Sequence, residues 1–103
     1  MGLFDMFKTP DLARGVEQWR KTEGALLLDV RGADEYAEGH LPGSVNVAIQ
    51  RFGTLTAAKD TPIFVYCLSG ARSRRAAALL TKLGYTEVHD IGGLMGYKGE
   101  LEK

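Results

Sequence analysis

Residues 63–84 read IFVYCLSGARSRRAAALLTKLG, and Cys67 in their midst is the chain's single cysteine. The run Ile63–Cys67 is apolar, β-branched and aromatic, the composition of a buried strand. From Ala76 onward the apolar positions Ala76, Ala77, Leu79, Leu80 and Leu83 follow helical spacing, and Gly84 is placed to close the helix. Cys67 therefore stands where a strand hands over to a helix. In an open parallel sheet that junction, beyond the carboxyl end of a strand, is where ligands collect.

The short connection Leu68–Arg72 contains Gly70, which permits a tight turn. A loop entering a helix leaves backbone N–H groups unpaired, and the helix dipole adds partial positive charge. Such a cradle stabilises an anion, including a cysteine thiolate. Arg72, Arg74 and Arg75 add fixed positive charge near the same helix start. Arginine in a first turn opposes the dipole, so local stability does not select it and an anionic substrate would. Taken singly, Arg74 and Arg75 read as the solvated face of a helix. Taken blind, a lone cysteine after a strand is a packing residue. The glycine loop, the helix entry and the arginines together shift the reading toward a nucleophile.

Outward from this segment, the same alternation recurs. The stretch from Thr9 to Gly24 opens as a helix, with Thr9 as N-cap, Pro10 in the first turn and Leu12, Val16 and Trp19 on one face. ALLLDV (25–30) is a continuous apolar run, as expected of a strand covered on both faces. Residues 33–38 suit a helical turn, and Leu41, Pro42 and Gly43 suit a turn. VNVAI (45–49) reads as a second strand, 54–59 as a short helix, TEVHDI (86–91) as a further strand and GGLMGYKGE (92–100) as a loop. Strands separated by helices argue for one α/β domain with a parallel sheet.

Composition narrows the function classes. The chain has 103 residues, 45% of them apolar, enough for one core. Thirteen Lys and Arg balance thirteen Asp and Glu, which disfavours nonspecific nucleic-acid binding. One cysteine excludes an internal disulfide and a cysteine-rich metal site, and the two histidines stand too far from it in sequence for a zinc pattern. No metal and no cofactor are expected. The opening MGLFDMFKTP is too short and too interrupted for a secretory segment, and no run approaches a membrane span. The expectation is a cytoplasmic protein.

Three motifs in order resemble the rhodanese-like sulfurtransferases. CLSGARS (67–73) resembles that family's active-site loop. LLLDVRGADEYAEGHLPGSVNV (26–47) is similar to its upstream segment, with Asp-Val-Arg followed by Glu-Gly-His-Leu-Pro-Gly-Ser. VHDIGGLMGY (88–97) is similar to its last strand and double glycine. The likeness runs from 24 to 97 within one domain of 1–103, leaving 1–8 as an N-terminal extension that packs as a flap or meets a partner.

The resemblance implies a rhodanese-like fold, a five-stranded parallel sheet with helices on both faces. It implies sulfur transfer from a donor such as thiosulfate to cyanide or a thiol, through a persulfide on Cys67. Leu68, Ser69, Gly70, Ala71 and Arg72 would supply loop amides, and Arg72 would pair with an anionic donor. Ser73 would either donate to the site or cap the helix. Asp29 and Arg31 would form a supporting pair, with direct substrate contact by Arg31 the lesser alternative. His40 is expected to make a structural hydrogen bond, and His89 to pack or lie at the surface. Tyr97 stands where the family often carries tryptophan. The related cell-cycle phosphatases and arsenate reductases need five residues between cysteine and arginine; four stand here. Rhodanese-like domains also serve as binding or regulatory modules, and persulfide delivery to a thiol protein is a third reading. Neither nucleic acid nor membrane is an expected partner.

Overall fold

The apolar runs around Leu27 and Val65 become the centre of a parallel sheet in the computed structural model, which describes residues 11–103. In chain order the elements are α1 (Leu12–Lys21), β1 (Leu26–Asp29), α2 (Ala33–Glu38), β2 (Val45–Asn46), a 3-10 helix (Ile49–Thr54), β3 (Ile63–Cys67), α3 (Ala71–Lys82) and β4 (Val88–Gly93). The strands lie in the order β2-β1-β3-β4, every pairing parallel.

Period-two alternation sends successive side chains to opposite faces. Leu28, Val65 and Cys67 join Phe52, Ala76, Leu80 and Tyr85 on the α3 face. Leu27, Phe64 and Tyr66 join Leu12, Val16, Leu41 and Ile91 on the α1 face. Every residue of β3 is buried, and each large apolar side chain so covered contributes about 1.5–3 kcal/mol. Both faces are closed, as the unbroken apolar runs required.

The strand order locates the site. β1 leads outward to β2, and the chain then returns across β1 to reach β3. The connections leaving β1 and β3 diverge there, opening a crevice at the carboxyl ends of the two central strands. Cys67 ends β3 at that crevice.

Several elements differ from the sequence reading. The implied sheet of five strands has four among the described residues. Val45 and Asn46 alone pair with β1, because the chain turns into the 3-10 helix at Ile49. That helix replaces the one expected over 54–59. It forms earlier because Phe52, 3% exposed, anchors it in the α3-side core. The N-cap of α1 is Asp11, whose carboxylate accepts from Ala13 N; Thr9, Pro10 and the extension 1–8 lie outside the described residues. Gly84 does close α3, at φ +108°, with Gly84 N donating to Thr81 O and Tyr85 N to Leu80 O, the paired bonds of a Schellman motif. The turn 41–44 has Gly43 at φ +87° under the Trp19 ring. Among the described residues no helix is long and apolar enough to cross a membrane.

Candidate active site

Cys67 Sγ lies beneath the loop that joins β3 to α3, in a side chain with no exposed surface. It accepts hydrogen bonds from Gly70 N at 3.0 Å and Ser73 N at 3.3 Å. Gly70 makes this geometry available: its φ of +99° turns the chain back over the sulfur and into the helix. The amides of Ala71 and Arg72, in the first turn of α3, make no hydrogen bond among the described residues, as helix starts leave them. Of the loop amides assigned to the cradle, that of Gly70 contacts the sulfur. Ser73 adds a second, one residue beyond the loop.

The loop is held from two sides. On the β4 side, Leu94 N donates to Cys67 O and Met95 N to Leu68 O, each at 2.9 Å. A Cβ on Gly93 would lie 2.2 Å from Leu68 O, so the backbone of β4 passes closer than any side chain permits. The double glycine is thus the packing surface for the cysteine loop. On the β1 side, Arg72 Nη1 and Nη2 donate to Glu35 Oε1 and Oε2 at 2.7 and 2.9 Å. Glu35 Oε1 also accepts from Gly32 N. The Arg72 hydrogen bonds hold the Glu35 carboxyl down to about 2 despite some burial, with the Gly32 amide adding to the effect. The guanidinium expected to meet an anionic donor carries this ion pair.

Ser73 is buried and does neither of the two things expected of it alone. Its hydroxyl donates to Asp90 Oδ1 at 2.7 Å, with Gly70 O at 3.1 Å, Gly92 O at 3.4 Å and Cys67 Sγ at 3.5 Å around it. Asp90 Oδ1 also accepts from Gly92 N at 3.0 Å. Sequence reasoning passed over both Asp90 and Glu35. Asp90 follows a β-strand alternation whose even positions face α3, the one signal that places it beneath that helix.

Asp29 and Arg31 form a buried pair, Arg31 Nη2 to Asp29 Oδ2 at 2.6 Å, with Arg31 Nε bridging both oxygens. Arg31 Nη2 also donates to Gly39 O, which fastens the segment after α2 to the end of β1. This satisfies Arg31 within the fold. Asn46 Nδ2 donates to the carbonyls of Asp29 and Arg31. His40 Nδ1 meets Tyr36 O at 2.8 Å and its ring stacks on Tyr36. His89 stacks on Phe64 and meets Glu87, on the face away from Cys67. Tyr97 packs into the α1-side core. Tyr66, under the crevice, receives Leu41 N and pairs with Ser44 Oγ; burial pushes its phenol far above the ordinary range.

Two concavities flank the loop. One of about 390 Å³ is lined by Leu68–Ala71, Arg74, Asp90 and Met95. The other, about 540 Å³, lies toward β1 and includes Glu35, Arg72 and Arg75. Arg74 and Arg75, read as a solvated face, each border one of them. Among the described residues no group of three or more His, Cys, Asp and Glu side chains is placed to hold a metal ion.

Residues 12–100 match the rhodanese-like domain family. The chain is 37% identical over 93 residues to the thiosulfate sulfurtransferase GlpE of Actinobacillus succinogenes, across 87% of this chain and 81% of that protein. It is 34% identical over 71 residues to the thiosulfate sulfurtransferase PspE of Escherichia coli, across 65% of this chain and 68% of that protein. Against the adenylyltransferase and sulfurtransferase uba4 of Ogataea parapolymorpha the identity is 35%, but the chain spans only 23% of that protein. Among solved structures, a rhodanese with anions from Escherichia coli superposes with a TM-score of 0.67 at 30% identity, covering 77% of this chain and 98% of that one.

Proposed function

The chain belongs to the rhodanese-like domain family, and from that premise we propose that it is a sulfurtransferase working through a persulfide on Cys67. The observation that carries this reading is the convergence of Gly70 N and Ser73 N on Sγ at the start of α3. Amides fixed before the reaction stabilise sulfur-centred negative charge without reorganising.

In the first half-reaction the Cys67 thiolate attacks the outer sulfur of thiosulfate. The S–S bond of thiosulfate breaks, sulfite leaves with the electron pair, and a persulfide anion remains. In the second, cyanide or a thiolate attacks that outer sulfur, the Cys67 S–S bond breaks and the thiolate returns. No general base is needed once the thiol proton has gone to solvent, which suits the structural settings of His40 and His89. The sulfur is buried beneath the loop tip, where Leu68 and Ser69 are exposed.

Arg74, beside the loop on the 390 Å³ concavity, is the better placed cation for an anionic donor, since Arg72 is engaged by Glu35. The exposed side chains of Leu68 and Met95, at 40% and 71%, border the same mouth. They favour, as a second reading of the acceptor step, a thiol on a protein that covers apolar surface. Steady-state thiocyanate formation tests the enzyme itself. Parallel reciprocal plots for thiosulfate and cyanide, abolished in Cys67→Ser, are expected. Intersecting plots, or turnover without the cysteine, would exclude the covalent intermediate.

A further inference from the structure

We infer that Asp90 is a positioning residue: it turns the Ser73 hydroxyl away from Cys67, so that Ser73 accepts the thiol proton instead of donating to the thiolate. The inference rests on Cys67 being the reacting thiol, as proposed above.

Ser73 Oγ has one hydrogen and four close neighbours. Three of them, Asp90 Oδ1, Gly70 O and Gly92 O, only accept. The carboxylate is the nearest, at 2.7 Å, and a charged acceptor makes the strongest bond. The hydroxyl hydrogen is therefore committed to Asp90. Asp90 cannot swing away, because Gly92 N fixes the same oxygen from within β4. What remains toward Sγ, at 3.5 Å, is an oxygen lone pair.

Sγ thus sits between opposing influences. Two amides favour its anion, while a lone pair backed by a carboxylate favours its thiol.

The other charged groups around the pair are accounted for. From α3 come Arg74, on the same concavity, and Arg72, tied to Glu35 of α2. From β1 comes Asp29, tied to Arg31. His89 of β4 faces Phe64 on the opposite side of the sheet, and the buried face of α1 is Leu12, Gly15 and Val16. Neither substitution below removes any of them.

The test is the ultraviolet thiolate absorbance of Cys67 across pH, with Cys67→Ser as baseline, in the native chain, Asp90→Ala and Ser73→Ala. The single cysteine makes the signal unambiguous. Both variants should raise the thiolate-to-thiol ratio at fixed near-neutral pH by about three- to tenfold, displacing the profile toward lower pH. A lower thiolate fraction in Ser73→Ala would show that the hydroxyl donates to sulfur and would overturn the inference. An unchanged profile in Asp90→Ala would overturn the role of Asp90. Because no donor is present, the result stands apart from whether the chain transfers sulfur.

Discussion

Arg72 and Glu35 face each other across the crevice between β1 and β3, joined by two hydrogen bonds of 2.7 and 2.9 Å. This fork ties the first turn of α3 to the middle of α2. Together with the Leu94 and Met95 amides just beyond β4 on the other side, it holds the cysteine loop between two fixed walls. The loop amides are thereby aimed before any ligand arrives.

The fork makes stability depend on acid. Glu35 is held down to about 2 from an ordinary 4.5. Its contribution is therefore complete above the unfolded value and disappears as pH falls through the folded one. Both side chains keep 34% or more of their surface, so solvent screening limits the pair to about 0.5–1 kcal/mol. Denaturant melts should show Glu35→Gln less stable than the native chain by that amount near neutrality. The gap should close between pH 4.5 and about 2. A gap that persisted unchanged into that acid range would remove the ion pair as its cause.

Arg72 and Arg74 should separate kinetically. Arg74→Ala removes a cation beside the loop and should raise KM for thiosulfate about three- to tenfold with kcat little changed, the signature of lost ground-state binding. Arg72→Ala frees the loop from Glu35 and should lower kcat. Reversed effects in steady-state assays would return Arg72 to the donor-binding role that its place in the loop suggested.

Gly93→Ala should damage the site from the neighbouring strand. The new Cβ would meet Leu68 O at 2.2 Å, and the loop backbone must shift to admit it. Overpacking of this kind costs about 1–3 kcal/mol, and sulfur transfer should fall by more than stability alone explains. A variant with native turnover would show that the loop tolerates the displacement.

Much of this arrangement was legible in the residues. The unbroken apolar runs of 26–30 and 63–67 announced strands covered on both faces, and Gly70 announced the turn after Cys67. The hydrogen-bonded Asp29–Arg31 pair and a hydrogen bond at His40 also follow the reading. Partners distant in sequence were not legible. Nothing local to Glu35 marks it for Arg72, thirty-seven residues on, and Asp90 reaches Ser73 only through the β3–β4 register. The 3-10 helix escaped because its position is set by Phe52 finding the core, not by propensity.

The buried Asp29–Arg31 pair gives a sharp stability prediction. Arg31→Ala leaves Asp29 enclosed without its counter-charge, at a cost of about 3–5 kcal/mol. Arg31→Lys should recover little, since one ammonium cannot reproduce the fork to Asp29 and the bond to Gly39 O. Full rescue by lysine in thermal melts would mean that charge alone matters there.

The central claim is that Cys67 carries sulfur, and intact mass tests it most directly. The reduced chain is incubated with thiosulfate, weighed, treated with cyanide and weighed again, with Cys67→Ser in parallel. The account predicts a gain of one sulfur atom that cyanide removes as thiocyanate, and no gain in the variant. A folded chain with a free thiol that gains nothing, or a Cys67→Ser chain that gains the same mass, would contradict it.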